Sequence, residues 1–135
     1  MKTIAVSGYF APLHRGHVEY LKLARSLGDR LVVIVNNDEQ LLKYKKRKYP
    51  LEDRIAVLEE LKCVDEVFIS IDRDNTVCRS LVSVKPDVFA KGGDRYAGEI
   101  PETAKCMEYG IAIVDCLGRK IQSSSEILKN YDTTE

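Results

Sequence analysis

Residues 30–35, Arg-Leu-Val-Val-Ile-Val, constrain the fold more than any other stretch of this chain. Five consecutive apolar side chains leave no polar face, so a strand made of them must be covered on both sides. A parallel sheet with helices packed on each face meets that demand, and the rest of the sequence supplies the helices. Residues 3–7 (Thr-Ile-Ala-Val-Ser) form a first apolar strand. After it, Val18, Leu21, Leu23, Ala24 and Leu27 recur near every 3.6 residues, which predicts a helix closed by Gly28-Asp29.

The alternation continues. Asn36-Asn37-Asp38 makes a turn and residues 39–42 open a short helix. Residues 51–62 carry Ile55, Leu58 and Leu61 on one face of an amphipathic helix. Residues 67–69 read as a short strand, and 75–84 as a helix with Val77, Leu81 and Val84 inward. Pro86 stops that helix before a fourth strand at 88–90. Residues 101–109 form a helix with Pro101 in its first turn, and 111–114 a fifth strand. Ser123-x-x-Glu126 has the form of a capping box opening a last helix that runs through about Tyr131. The expected fold is therefore α/β: a single Rossmann-like doubly wound sheet of about five parallel strands with helices on both faces. Residues 1–131 make one domain, and 132–135 a short tail.

In such a sheet the ligand lies outside the carboxyl ends of the strands. Each unusual polar stretch follows a strand. His14-Arg15-Gly16-His17 follows the first, and Lys43-Tyr44-Lys45-Lys46-Arg47-Lys48 the second. Lys91-Gly92-Gly93-Asp94 follows the fourth, and the segment holding Ser123, Ser124 and Ser125 the fifth. One shared site is the economical explanation. The two histidines are the only ones in the chain, and Gly16 between them lets the backbone turn tightly. A helix N-terminus directly behind them suits an anion, and imidazole N–H groups can donate to phosphate oxygens.

Lysine plus arginine balances aspartate plus glutamate at 21 each, which argues against a general nucleic-acid coat. The basic run at 43–48 leaves a local patch open, whether for phosphate or for nucleic acid. Cys63, Cys78, Cys106 and Cys116 show no CxxC spacing, so neither a zinc knuckle nor a disulfide framework is indicated. Free buried thiols in a reducing cytoplasm are expected. No apolar run reaches the roughly 20 residues that would span a bilayer. The first strand begins almost at once after Met1, with no signal peptide in view.

The residues Gly8-Tyr9-Phe10-Ala11-Pro12-Leu13-His14-Arg15-Gly16-His17 resemble the HxGH signature of the cytidylyltransferase-like nucleotidyltransferases. Residues 20–33, Asn37-Asp38, Arg54, Val64-Asp65-Glu66-Val67, Lys91-Gly92-Gly93-Asp94 and Ser123-Ser124-Ser125 extend the likeness over nearly the whole chain. They are similar to the glycerol-phosphate cytidylyltransferase and ADP-heptose synthase types. The resemblance implies transfer of a nucleoside monophosphate from an NTP to a sugar- or polyol-phosphate, releasing pyrophosphate. It implies catalytic roles for His14, His17 and Lys43. Nucleotide binding would fall to Gly8, Tyr9, Phe10, His14, Gly16, His17, Lys45, Lys91, Gly92, Asp94, Ser123, Ser124 and Ser125. Acceptor binding would fall to Ala11, Asp38 and Arg54. Mg²⁺ would arrive with the NTP, no residue being assigned as a metal ligand, and two copies of the chain would pair as a homodimer.

Ala11 stands where the sugar-phosphate members usually carry aspartate, and Pro12 resembles the pantetheine-phosphate and nicotinamide-mononucleotide adenylyltransferases. ATP and CTP both stay open, ATP being favoured by the Lys91–Asp94 loop. Heptose-phosphate, glycerol-phosphate, another polyol-phosphate and FMN are all candidate acceptors. A nucleotide-binding regulatory module without turnover is the alternative from another class.

Overall fold

A computed structural model of the chain describes residues 1–92 and 101–117. Five strands, β1 (Thr3–Gly8), β2 (Arg30–Val35), β3 (Glu66–Ile69), β4 (Val88–Gly92) and β5 (Ala112–Leu117), form one sheet in the order β3-β2-β1-β4-β5. Every pairing is parallel. Five helices connect or flank them: α1 (Arg15–Arg25), α2 (Asp38–Lys45), α3 (Leu51–Glu59), α4 (Cys78–Val84) and α5 (Glu102–Glu108).

The strands alternate as a doubly covered sheet requires. Ile4, Val6, Leu31, Val33, Val35, Val88 and Ala90 pack with Leu21 and Ala24 of α1 and Leu58 of α3 on one face. Ala5, Ile34 and Phe89 pack with Leu81 of α4 and Cys106 of α5 on the other. From Leu31 to Val35 every residue of β2 is fully buried, as its composition requires. The chain winds from β1 outward to β3, then returns past β1 to β4. Because crossovers keep one hand, that reversal moves the later helices to the opposite face. It also opens a crevice between the carboxyl ends of β1 and β4.

One glycine is fixed by close approach. A Cβ on Gly28 would lie 2.7 Å from the Lys2 carbonyl, which accepts the N–H groups of Asp29 at 2.8 Å and Arg30 at 3.2 Å.

Several element ends differ from the sequence reading. The short helix expected to open over residues 39–42 is α2: Asn37 and Gln40 form a capping box that starts it at Asp38, and it runs through Lys45 before Lys46 turns it with φ 55°. The helix expected at 75–84 begins only at Cys78. Ahead of it the Glu102 carboxylate accepts the N–H of Val77, and Asp72 those of Arg79 and Ser80. Helix α3 ends at Glu59, short of the expected residue 62. β5 extends three residues past the expected end, with a register shift against β4 between Ala90 and Gly92. Asp94, Ser123, Ser124, Ser125, the expected last helix and the tail lie outside the described residues. Cys63, Cys78 and Cys106 are free thiols. Among the described residues no helix is long and apolar enough to cross a membrane.

Candidate active site

The loop between β1 and α1 is shaped from beneath. Phe10 adopts φ 49°, the left-handed region that non-glycine residues seldom enter. Its buried ring folds back over Gly8, where an added Cβ would come within 2.9 Å of the ring. The same ring meets His17 edge-on, with centroids 5.0 Å apart. Phe10 thus supports the histidine from the core side. Gly8 is the residue that lets it do so.

The two histidines form the start of α1 between them. His14 is the N-cap, and its Nδ1 accepts the N–H of Gly16 at 3.0 Å. His17 stands three residues on, and its Nδ1 accepts the N–H of His14 at 3.1 Å. This is a capping box built from imidazoles, with the rings stacked at 3.8 Å between centroids. A ring nitrogen that accepts an N–H carries no proton of its own. Both neutral rings therefore hold their proton on Nε2. Burial lowers the pKa of His14. Burial first, and the neighbouring charge of His14 second, lower that of His17 to about 4. At neutral pH the pair is two uncharged rings, each with an Nε2–H donor edge. The Gly16 N–H, expected to face an anion directly, is instead held by His14.

The basic run divides. Residues two apart on a helix point to different sides, and Lys43 and Lys45 do so. Lys45 Nζ lies 5.3 Å from the centroid of the Tyr9 ring, on the loop that precedes the histidines. Lys43 Nζ lies 5.3 Å from the ring of its own neighbour, Tyr44, and both lysines are exposed. Arg47, which the sequence left without a role, donates from Nη1 to the Ala11 carbonyl at 2.9 Å. The side chain of Ala11 is itself buried.

Arg54 was expected to reach a phosphate and does something else among the described contacts. It is 1% exposed. Its guanidinium donates to the carbonyls of Tyr49 (3.1 Å), Tyr9 (2.9 Å) and Asn36 (2.5 Å) and to Asp38 Oδ1 (2.7 Å). Four of its five N–H groups are committed to holding the ends of β1 and β2 and the start of α3. Asp38 is occupied by the same pairing. Burying an arginine is costly unless its donors are filled, and these bonds fill four of the five.

Two further loops join the site. Tyr9 donates its hydroxyl to Asn75 Oδ1 at 2.5 Å, which ties the first loop to the segment before α4. That segment is fixed by Gln40, fully buried, whose amide donates to the carbonyls of Asp74 and Thr76. Tyr20 of α1 donates to the Ala90 carbonyl at 2.5 Å, joining the helix behind the histidines to the end of β4. Lys91 has its backbone at that end, but its ammonium lies 4.8 Å from the Phe89 centroid, a residue of the α4/α5 face. Asn75, Gln40 and Arg47 carried no sequence signal beyond a polar turn and a basic run.

The arrangement matches a known family along the chain. The sequence profile described as Cytidylyltransferase-like matches residues 5–130. This chain belongs to the cytidylyltransferase-like family. Among curated relatives of this cytidylyltransferase-like chain, the bifunctional protein HldE of Streptomyces coelicolor is 44% identical over 110 residues. That match covers 79% of this chain and 23% of the relative. HldE of Hahella chejuensis is 37% identical over 136 aligned positions, covering 98% of this chain and 26% of the relative. The chain thus spans about a quarter of the length of the curated relatives it matches. Among solved structures, a lipopolysaccharide core biosynthesis protein from Thermoplasma volcanium superposes with TM-score 0.69 at 29% identity, covering 85% of this chain and 93% of the other. A pantoate-beta-alanine ligase from Francisella tularensis, at TM-score 0.57 and 18% identity over 94% of this chain and 67% of the other, shares the fold.

Proposed function

We propose that this chain transfers a nucleoside monophosphate from an NTP, ATP ahead of CTP, to a sugar- or polyol-phosphate. The observation that carries the reading is the imidazole capping box at the β1/β4 crevice. It supplies two neutral Nε2–H donors whose protonation and orientation are fixed before any ligand arrives. An oxygen of the acceptor's phosphate attacks the α-phosphorus in line. The new P–O bond forms as the bond from the α-phosphorus to the bridging oxygen breaks, and pyrophosphate leaves with that electron pair. No protein nucleophile is needed. The chain's share is positioning and stabilisation of charge on the transferring group. Neutral donors suit this because they hydrogen-bond the oxygens while holding no proton that must first be lost.

Lys45, beside Tyr9, adds positive charge at the same mouth. Mg²⁺ we assign to the triphosphate rather than to the protein. Its ligands would be phosphate oxygens and water. Pairing into a homodimer belongs to the same reading.

The test is pyrophosphate release with each of the four NTPs against a panel of phosphate monoesters, alongside thermal shifts with each NTP. Release with one NTP and one acceptor class is the expected result. An NTP-dependent rise in melting temperature with no release from any acceptor would replace the enzyme by a nucleotide-binding regulatory module.

A further inference from the structure

Arg54, the arginine that the sequence offers for an acceptor phosphate, is enclosed and bound to protein oxygens, so an acceptor needs another cation. Arg47 is exposed, and one corner of its guanidinium is pinned to the Ala11 carbonyl, three residues before His14. Ala11 gives it a carbonyl and no counter-charge. No carboxylate pairs with Arg47 among the described residues, and its other four N–H groups have no acceptor there. Lys45 comes back to the same loop over Tyr9, whose hydroxyl is bound to Asn75. The α2 side of the histidine loop therefore carries two cations with no carboxylate partner among the described residues, one of them a planar fork held in place, next to a tyrosine and an amide.

Resting on the nucleotidyltransferase reading above, we propose that Arg47 binds the acceptor's phosphate monoester, with Lys45 beside it. A guanidinium fixed at one nitrogen presents its remaining N–H pair to two oxygens of a phosphate at once. Tyr9 and Asn75 then stand where hydroxyl groups of the acceptor's body would be read. The same chemistry could serve the terminal phosphates of the NTP, and the test is arranged to separate the two sources.

Dissociation constants are measured for glycerol 3-phosphate, inorganic phosphate, ATP and CTP with the full chain and with Arg47→Gln, Arg47→Lys and Lys48→Ala. Gln keeps an amide N–H for the Ala11 carbonyl while removing the charge. Lys keeps the charge and removes the fork. The expected result is a loss of about tenfold or more in phosphate-monoester affinity for Arg47→Gln, a smaller loss for Arg47→Lys, and none for Lys48→Ala. Nucleotide affinity should stay within about twofold in all three. An unchanged Arg47→Gln, an equal loss in Lys48→Ala, a loss falling on the nucleotides, or no saturable binding of either phosphate by the unaltered chain would each overturn the assignment. Failure of pyrophosphate release would remove the proposed reaction, whereas Arg47-dependent phosphate binding could survive it. The two ideas therefore fail separately.

Discussion

The two edges of the sheet use the same kinds of residue to opposite ends. At the amino edge a set of charged groups closes the fold. Asp29 accepts the Lys2 N–H at 2.7 Å, Asp65 that of Leu31 at 2.8 Å, and Asp87 that of Thr3 at 2.7 Å. Asp65 also pairs with Arg25, and Arg30 with Glu66. At the carboxyl edge Arg54 and Asp38 close the fold in the same way, but Lys43, Lys45 and Arg47 have no carboxylate partner among the described residues. A charge paired inside the protein stabilises its own backbone. A charge left over beside a preorganised donor pair is available to a ligand. The balanced composition conceals this division because it is spatial.

Changes at the two edges should separate stability from activity, and the largest effect should come where the carboxyl edge does both. Replacing Arg54 by Leu strands the carbonyls of Tyr9, Asn36 and Tyr49 and frees Asp38, so unfolding free energy should fall by about 3–5 kcal/mol. Urea unfolding measures it. A loss below about 1 kcal/mol would mean the clip is not structural.

His17→Ala should lower turnover by about a hundredfold or more, because a preorganised donor to developing charge is worth roughly 3–4 kcal/mol. Losing the capping bond should cost about 0.5–2 kcal/mol of stability as well. Activity near that of the unaltered chain would remove His17 from the mechanism. Its titration adds a second check. The folded pKa of about 4 lies below the ordinary 6.5, so the folded state resists protonation. The resulting stability is complete above pH 6.5 and is lost as pH falls from there through about 4. Unfolding curves across that window should slope less in His17→Gln than in the unaltered chain.

Smaller effects sharpen the contrast. Lys45→Ala should weaken phosphate-ligand binding by about 1–3 kcal/mol, while Lys43→Ala, whose ammonium sits against Tyr44, should change it less. Equal, salt-sensitive losses of oligonucleotide binding at both positions, with ligand affinity intact, would favour a nucleic-acid patch. At the amino edge, Asp87→Ala should cost about 1 kcal/mol of stability and leave turnover per folded molecule unchanged. A turnover defect there would break the division between the edges.

Much of the molecule was legible in the chain because periodicity reports burial directly. The continuous apolar run at β2 required covering on both sides, and the alternation of patterns required crossovers, so a parallel sheet followed. The histidine loop was legible because its residue types are scarce and its position follows a strand. Chain order also put the basic run after β2. It could not say which members of that run come back against the loop before the histidines, because that depends on helical phase. Phase was set where the Asn37–Gln40 capping box starts α2, which runs through Lys45.

The polar residues in the interior were decided by tertiary structure alone. Arg54, Gln40 and Asp72 are each buried to within 1% of complete, and Glu102 is nearly so. Local pattern treats such side chains as solvent-facing. They are inside because the ends of strands and helices that meet there leave N–H and carbonyl groups needing partners, and those ends are far apart in sequence. Val77 meets Glu102 across 25 positions, and Tyr9 meets Arg54 across 45. The sequence by itself determined that two histidines would stand at the first turn, between a strand and a helix. Only the folded chain decided which cations were consumed in building that edge and which were left without a carboxylate partner among the described residues.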